Sequence, residues 1–186
     1  MAGRLEFELA EMSAWRAPEA VDLMLANASL QWVEDHRRLL DHLLSQLSKS
    51  GVLAFQVPAN HSEPSHTLLR DLCSSPRWSE RLGGLPVATV REPRWYIDEL
   101  GRRGLDASVW QTTYFHLLEG PDPVLEWMRG TTLRAVLERL PAEEHEVFLD
   151  RFGAVLRDAY PALSGTVVFP FKRTFVVASQ RQTLDV

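Results

Sequence analysis

The sequence predicts an α/β fold built around a parallel sheet, and three features of residues 21–58 carry that expectation. Val21-Asp22-Leu23-Met24-Leu25-Ala26-Asn27 is a near-continuous apolar run. Leu39, Leu40, Leu43, Leu44 and Leu47 then recur at the i, i+4, i+8 spacing of a helix with one buried face. Val52-Leu53-Ala54-Phe55-Gln56-Val57 is a second apolar run, bounded by Pro58 and by Gly51, which reads as the glycine just past the helix end. Strand, helix and strand in so short a span predict a right-handed crossover with both strands buried. Ligands of open parallel sheets bind outside the carboxyl ends of the strands, which places the site beside Asn27, Trp32, Gln56 and Asn60.

The other elements follow in chain order. Leu5, Phe7 and Leu9 alternate with Glu6 and Glu8, the pattern of a short strand over 5–12. Pro64 to Cys73 reads as a helix, with Leu68, Leu69 and Leu72 on its stripe. Gly83-Gly84-Leu85-Pro86 breaks the chain. Pro93 to Arg103 reads as a helix that starts on a proline and ends before Gly104. The segment from Leu105 to Leu117 is rich in Val, Trp, Thr, Tyr and Phe and reads as a strand. One or two helices are expected over Pro121–Met128 and Thr131–Leu140, and another over Pro141–Ala159 with Phe148, Phe152, Val155 and Leu156 on one stripe. A long final strand, TVVFPFKRTFVVAS, contains Pro170, which suggests a bulge or an unpaired N–H. A helical insertion between the two late strands has the length of a cover over a small-molecule site.

Composition narrows the function classes. The 186 residues suit one domain with a sizeable core, and 45% hydrophobic with 24% charged residues is ordinary for a globular chain. A formal net charge of −5 argues against a nucleic-acid binder, which needs a concentrated basic surface. Cys73 is the only cysteine, so no internal disulfide can form and a reducing compartment is expected. No apolar run has the ~20 residues of a membrane span, and the first residues lack the apolar core of a signal peptide. The expectation is a cytoplasmic protein without membrane or nucleic-acid partners.

Four segments resemble the trans-aconitate 2-methyltransferase family: ANASLQWVEDH (26–36), FQVPANHSEPSH (55–66), VWQTTYFHLLEGPDPVLEWMRGTTLR (109–134) and FPFKRTFVVA (169–178). The resemblance runs in order from Phe7 to Ala178. It implies a class I fold that uses S-adenosylmethionine, with sheet order 3-2-1-4-5-7-6. On that template residues 5–12 match strand three, 21–27 and 52–57 match strands four and five, and the late pair matches strands six and seven. The chain then reads as an incomplete Rossmann-like sheet of strands 3, 4, 5, 7 and 6. Residues 1–60 make up the remaining core, 61–104 and 118–165 the helical cover, and 105–117 with 166–178 the final antiparallel pair.

The resemblance also implies roles. Glu11 falls where the family has an aspartate near the adenine amine, one methylene shorter. Asn27, Ala28 and Trp32 fall on the loop beside the sulfonium. Trp32 is read as functional there, Trp127 as core. An acceptor carboxylate is ionised at neutral pH, since its pKa is roughly 4, so no general base is needed and catalysis rests on positioning and exclusion of water. What the substrate needs is cations and donors for its other carboxylates, a task that suits arginine. Candidates beside Gln56 and Asn60 are Arg129, Arg134, Tyr114, His116, and one of Lys172 and Arg173, which as neighbours in a strand point to opposite faces. Arg129 either binds substrate or caps a solvated helix end, and His116 is either a donor or a core histidine. Arg91 and Arg94 read as surface charges, and Cys73 as packing. His61 and His66 lack the further ligands of a metal site.

One family feature is missing. None of the ten glycines forms a G-x-G-x-x-G turn between strand and helix. Strand four would then carry an open apolar edge, which is a pairing liability. The expectation is a fragment, a shortened product or part of an assembly, with impaired activity alone. The alternative is a non-catalytic module acting through a homodimer or partner at that edge.

Overall fold

The computed structural model describes residues 5–85 and 90–181. Four strands and seven helices make up the described chain. They are β1 (Val21–Asn27), α1 (His36–Leu44), β2 (Leu47–Pro58), α2 (Pro64–Cys73), α3 (Ser79–Leu82), α4 (Pro93–Arg102), β3 (Leu105–Glu119), α5 (Pro123–Arg129), α6 (Thr132–Leu137), α7 (Ala142–Ala159) and β4 (Thr166–Gln180). A short 3₁₀ turn, Leu30–Trp32, follows β1. The strand order is β1-β2-β4-β3, the order 4-5-7-6 of the sequence template. The chain divides into two compact units. The first comprises 1–57, 91–110 and 175–186, the second 58–90 and 111–174.

In the first unit β1 and β2 run parallel, with Met24 opposite Leu53 and Asn27 opposite Gln56. One face of the sheet is packed. Leu39, Leu40 and Leu43 of α1, Leu53 and Phe55 of β2, and Tyr96 and Leu100 of α4 are all buried, and the Phe55 and Tyr96 rings meet edge-on at 5.3 Å. The helix α4, expected in the cover, thus belongs to this unit. The other face is open at the edge. Leu23 and Leu25 alternate outward and are 61% and 74% exposed, so the expectation that both strands are buried holds for β2 and not for β1.

Two further expectations are corrected. Residues 5–12 form no strand; Leu5, Phe7 and Leu9 are exposed, because alternation makes a strand only where a neighbour supplies the ladder. Gly51 does not end α1, which stops at Leu44, but sits inside β2. There the register slips between Val21 and Leu23. A β-carbon at Gly51 would lie 2.9 Å from the Val21 carbonyl oxygen and 2.8 Å from Leu47 Cβ. The glycine is needed for close backbone approach.

In the second unit the remainder of β3 and β4 carries the helices. Their contacts pair Gln111 with Thr174 and His116 with Phe171, so the two strands run antiparallel. Phe148, Phe152 and Leu156 on one stripe of α7 pack with Leu69, Cys73, Trp78, Met128, Leu133 and Phe169 in a continuous core. Tyr160 closes it, its hydroxyl accepting from the Ser65 amide at 3.0 Å. Among the described residues no helix is long and apolar enough to cross a membrane.

Candidate functional site

In the first unit, the tips of β1 and β2 bring Asn27, Ala28, Gln56 and the 3₁₀ turn together. The Gln56 side-chain amide donates to Asn27 Oδ1, and the Ala28 amide donates to the Gln56 carbonyl at 3.0 Å. Ala28 then turns the chain with φ +49°, a left-handed conformation uncommon for a residue with a β-carbon and characteristic of functional loops. Gln31 Nε2 donates back to the Ala28 carbonyl at 2.7 Å. Leu30 and Gln31 are buried, whereas Trp32 stands 68% exposed. The exposed Asn27 at the strand tip and the exposed indole of Trp32 in the turn that follows supply hydrogen-bonding groups and a stacking face.

Sequence reasoning missed two residues of this tip. Gln31 Oε1, like Gln56 Oε1, is buried without a hydrogen-bond partner. His36 is 2% exposed and lies between the Leu30 carbonyl, 3.0 Å from Nε2, and the Tyr96 hydroxyl, 3.1 Å from Nδ1. A carbonyl only accepts, so Nε2 carries the proton and Nδ1 accepts from Tyr96. Burial lowers the pKa of His36 below the ordinary imidazole value, against a rise from the Leu30 bond, which keeps the ring neutral. Only its partner sixty residues away, Tyr96, shows what the ring does.

Glu11 does not sit at a strand end. It lies exposed in a turn, its carboxylate accepting from Ser13 Oγ at 3.1 Å and its carbonyl from the Trp15 amide. The expected adenine contact had assumed a strand over 5–12, which does not form.

In the second unit, Arg173 is the best-placed cation. Its guanidinium carbon lies 5.0 Å from the Phe171 ring centre and 6.0 Å from that of Tyr114. Among the described residues it makes neither an ion pair nor a hydrogen bond. His116 continues the same wall, 4.6 Å from Trp127 and 6.0 Å from Phe171. Tyr114 lies 6.5 Å from it. Neither the Tyr114 hydroxyl nor the His116 ring nitrogens have a hydrogen-bond partner among the described residues. Aromatic rings thus hold one cation and two donors in a row without neutralising them.

The remaining candidates are spoken for. Asn60 is 3% exposed and clamps the backbone of Lys172, accepting from its amide at 2.7 Å and donating to its carbonyl at 3.2 Å. Its polar atoms are used in a structural clip rather than turned toward a ligand. Lys172 itself pairs with Glu63 at 2.9 Å. Arg134 is 80% exposed and pairs with Glu138, the residue just past the end of its helix. Arg129 pairs with Glu126 at 3.3 Å and borders an open cleft also lined by Asp122, His145, Glu146 and Asp150. Gln56 is 7% exposed and serves Asn27 rather than a free surface. Among the described residues no cluster of three metal-ligating side chains occurs.

No family model matches the chain. Curated relatives do. The chain is 45% identical over 178 residues to the trans-aconitate 2-methyltransferase of Streptomyces avermitilis, covering 95% of this chain and 66% of that protein. It is 41% identical to the enzyme of that name from Azoarcus sp., covering 94% of this chain and 69% of the relative. The chain spans about two thirds of the length of such relatives, and 59% of the one from Streptomyces coelicolor. Among solved structures, the YcgJ protein from Bacillus subtilis superposes over 95% of this chain and 71% of its own, with a TM-score of 0.56 at 11% identity. That likeness concerns the fold alone. With 41% identity over more than two thirds of a relative's length, the chain belongs to the trans-aconitate 2-methyltransferase family.

Proposed function

We propose that this chain serves an S-adenosylmethionine-dependent O-methyltransferase that esterifies one carboxylate of a small tricarboxylic acid such as trans-aconitate. The observation that carries the reading is Arg173, a half-buried guanidinium without a carboxylate partner, held against Phe171 and Tyr114. In a chain where Arg37, Arg81, Arg103 and Arg157 are each paired with acids, an unpaired arginine on an aromatic wall is suited to a bidentate carboxylate from outside. Tyr114 and His116 supply donors for further carboxylate oxygens.

In the first unit, Asn27, Ala28 and Trp32 hold the cofactor, with Gln56 fixing the orientation of Asn27. The cofactor, when bound, supplies an electrophilic methyl group. The acceptor oxygen is ionised at neutral pH, so the protein removes no proton. Its residues bind, orient and exclude water. Lacking a G-x-G-x-x-G turn, the 186 residues alone transfer methyl groups poorly.

Transfer of labelled methyl from S-adenosylmethionine to trans-aconitate tests the reading. The chain is compared alone and joined to the part of the Streptomyces avermitilis relative that the match leaves out. An ester labile to mild alkali is expected from the joined protein. Comparison with other di- and tricarboxylates ranks the acceptors.

A second reading is a non-catalytic module that associates through β1, favoured by the open edge with Leu23 and Leu25 exposed. Light scattering separates the two: a concentration-independent monomer contradicts the homodimer.

A further inference from the structure

The 3₁₀ turn after β1 is weakly held by its own sequence. The left-handed Ala28 leads into it. Ser29 at its start gives no side-chain cap. The Trp32 and Val33 amides bond only within the turn, to Ser29 and Leu30 carbonyls at 3.2 and 3.1 Å. Gln31 likewise bonds to Ala28. Among the described residues, the one hydrogen bond that ties residues 29–33 to another element comes from His36 at the start of α1. That bond, to the Leu30 carbonyl, is 3.0 Å long. The far side of the same ring is engaged by Tyr96 of α4 at 3.1 Å. Trp95 closes edge-on against the ring at 6.2 Å, itself covered by Arg37 and Arg91.

We propose that His36 is a positioning residue for the loop 28–33, its Nε2–H holding the Leu30 carbonyl while the Tyr96 hydroxyl on Nδ1 fixes the ring, so that α1 and α4 together set how Ala28 and Trp32 are presented. The ring is 2% exposed, so it acts through Leu30 and not by touching a ligand. The Leu30 carbonyl, which only accepts, selects the tautomer. Moving the proton to Nδ1 would set a lone pair against that carbonyl. The charged groups that bear on the ring are Asp35 on its own segment and Arg91 before α4. Their effects oppose, and burial keeps the imidazole neutral. Neutrality is what a ring that both donates and accepts requires. The loop's order follows from these contacts alone; its consequence for cofactor affinity rests on the reading above.

Amide hydrogen exchange on the full chain without ligand tests the device. Tyr96→Phe removes only the hydroxyl and is expected to speed exchange of the Trp32 and Val33 amides about tenfold, with β2 and α7 unaltered. His36→Leu is expected to speed it further. His36→Gln keeps an N–H toward Leu30 and is expected to restore most of the protection. Unchanged exchange of these two amides in both Tyr96→Phe and His36→Leu overturns the proposal. So does an equal rise across β2, which would mean general loosening. Calorimetry with S-adenosylhomocysteine is run on the same proteins, each joined to the part of the Streptomyces avermitilis relative that lies outside the match. Weaker binding by the Leu variant with recovery in the Gln variant supports the functional consequence. Loss of protection with affinity unchanged, or no binding even by the parent, removes the cofactor role of this loop and leaves the exchange result to decide on His36 itself.

Discussion

The guanidinium carbon of Arg173 lies 5.0 Å from the centre of the Phe171 ring two residues earlier on β4, a same-face neighbour in the strand. The pair orients the cation by stacking and leaves its N–H fork unspent. Arg173→Ala is therefore expected to raise KM for the polycarboxylate by about 10- to 100-fold, the worth of a hydrogen-bonded charge pair. Arg173→Lys should rescue little, because an ammonium neither stacks nor presents a planar fork. Arg129→Ala and Arg134→Ala should leave KM near its parent value. Steady-state methyl transfer at varied acid concentration reads all four.

Asn60 stitches the end of β2 to β4 through both backbone groups of Lys172. Asn60→Ala leaves the Lys172 amide without its partner, while the Lys172 carbonyl keeps the Ala59 amide at 2.9 Å, and is expected to cost about 1–3 kcal/mol, read by urea denaturation. Unaltered stability would return Asn60 to the list of substrate contacts.

Gly51→Ala should destabilise by about 1–3 kcal/mol, because its new methyl group meets backbone at 2.9 and 3.0 Å on two sides. The denaturation midpoint checks this, and the same substitution at Gly101, which has open space, is the control.

Burial, reinforced by Arg70 and His61, pushes the His66 imidazole down to about 4 from 6.5. The folded protein thus excludes a proton that the unfolded chain takes up below pH 6.5. The stability this group contributes is complete above pH 6.5 and is lost as pH falls toward 4, by at most about 3 kcal/mol. His66→Gln should flatten that part of the stability–pH curve.

Leu23 and Leu25 face outward on the edge strand. Replacing each with Lys is expected to change monomer stability by no more than about 0.5 kcal/mol. Any self-association through β1 should disappear, as read by light scattering.

Local signals located most of the fold. A proline at the first turn and a leucine stripe placed α2 at Pro64–Cys73, and Pro93 with Gly104 framed α4. The run at 21–27 was a strand because apolar residues fill it, whatever covers it. Long-range facts were not legible. Leu47 continues the spacing of α1 yet begins β2, because Ser45 and Gln46 turn the chain back along Val21. Alternation at 5–12 says nothing about whether a neighbour strand is at hand. The tip position of Asn60 could be read, its commitment to a backbone 112 residues on could not. Arg173, Tyr114 and His116 were legible as residue types on late strands. That they share one aromatic wall emerged only from the β3–β4 pairing. His36 opens α1, and its role is visible only beside Tyr96.

The central claim is a methyl transfer to a carboxylate recognised by Arg173. Radiolabelled S-adenosylmethionine with trans-aconitate, given to the chain joined to the part of its Streptomyces avermitilis relative that lies outside the match, measures it most directly. The account predicts an alkali-labile methyl ester whose formation falls steeply in Arg173→Ala. Retained binding of S-adenosylhomocysteine with no label on any polycarboxylate would contradict it.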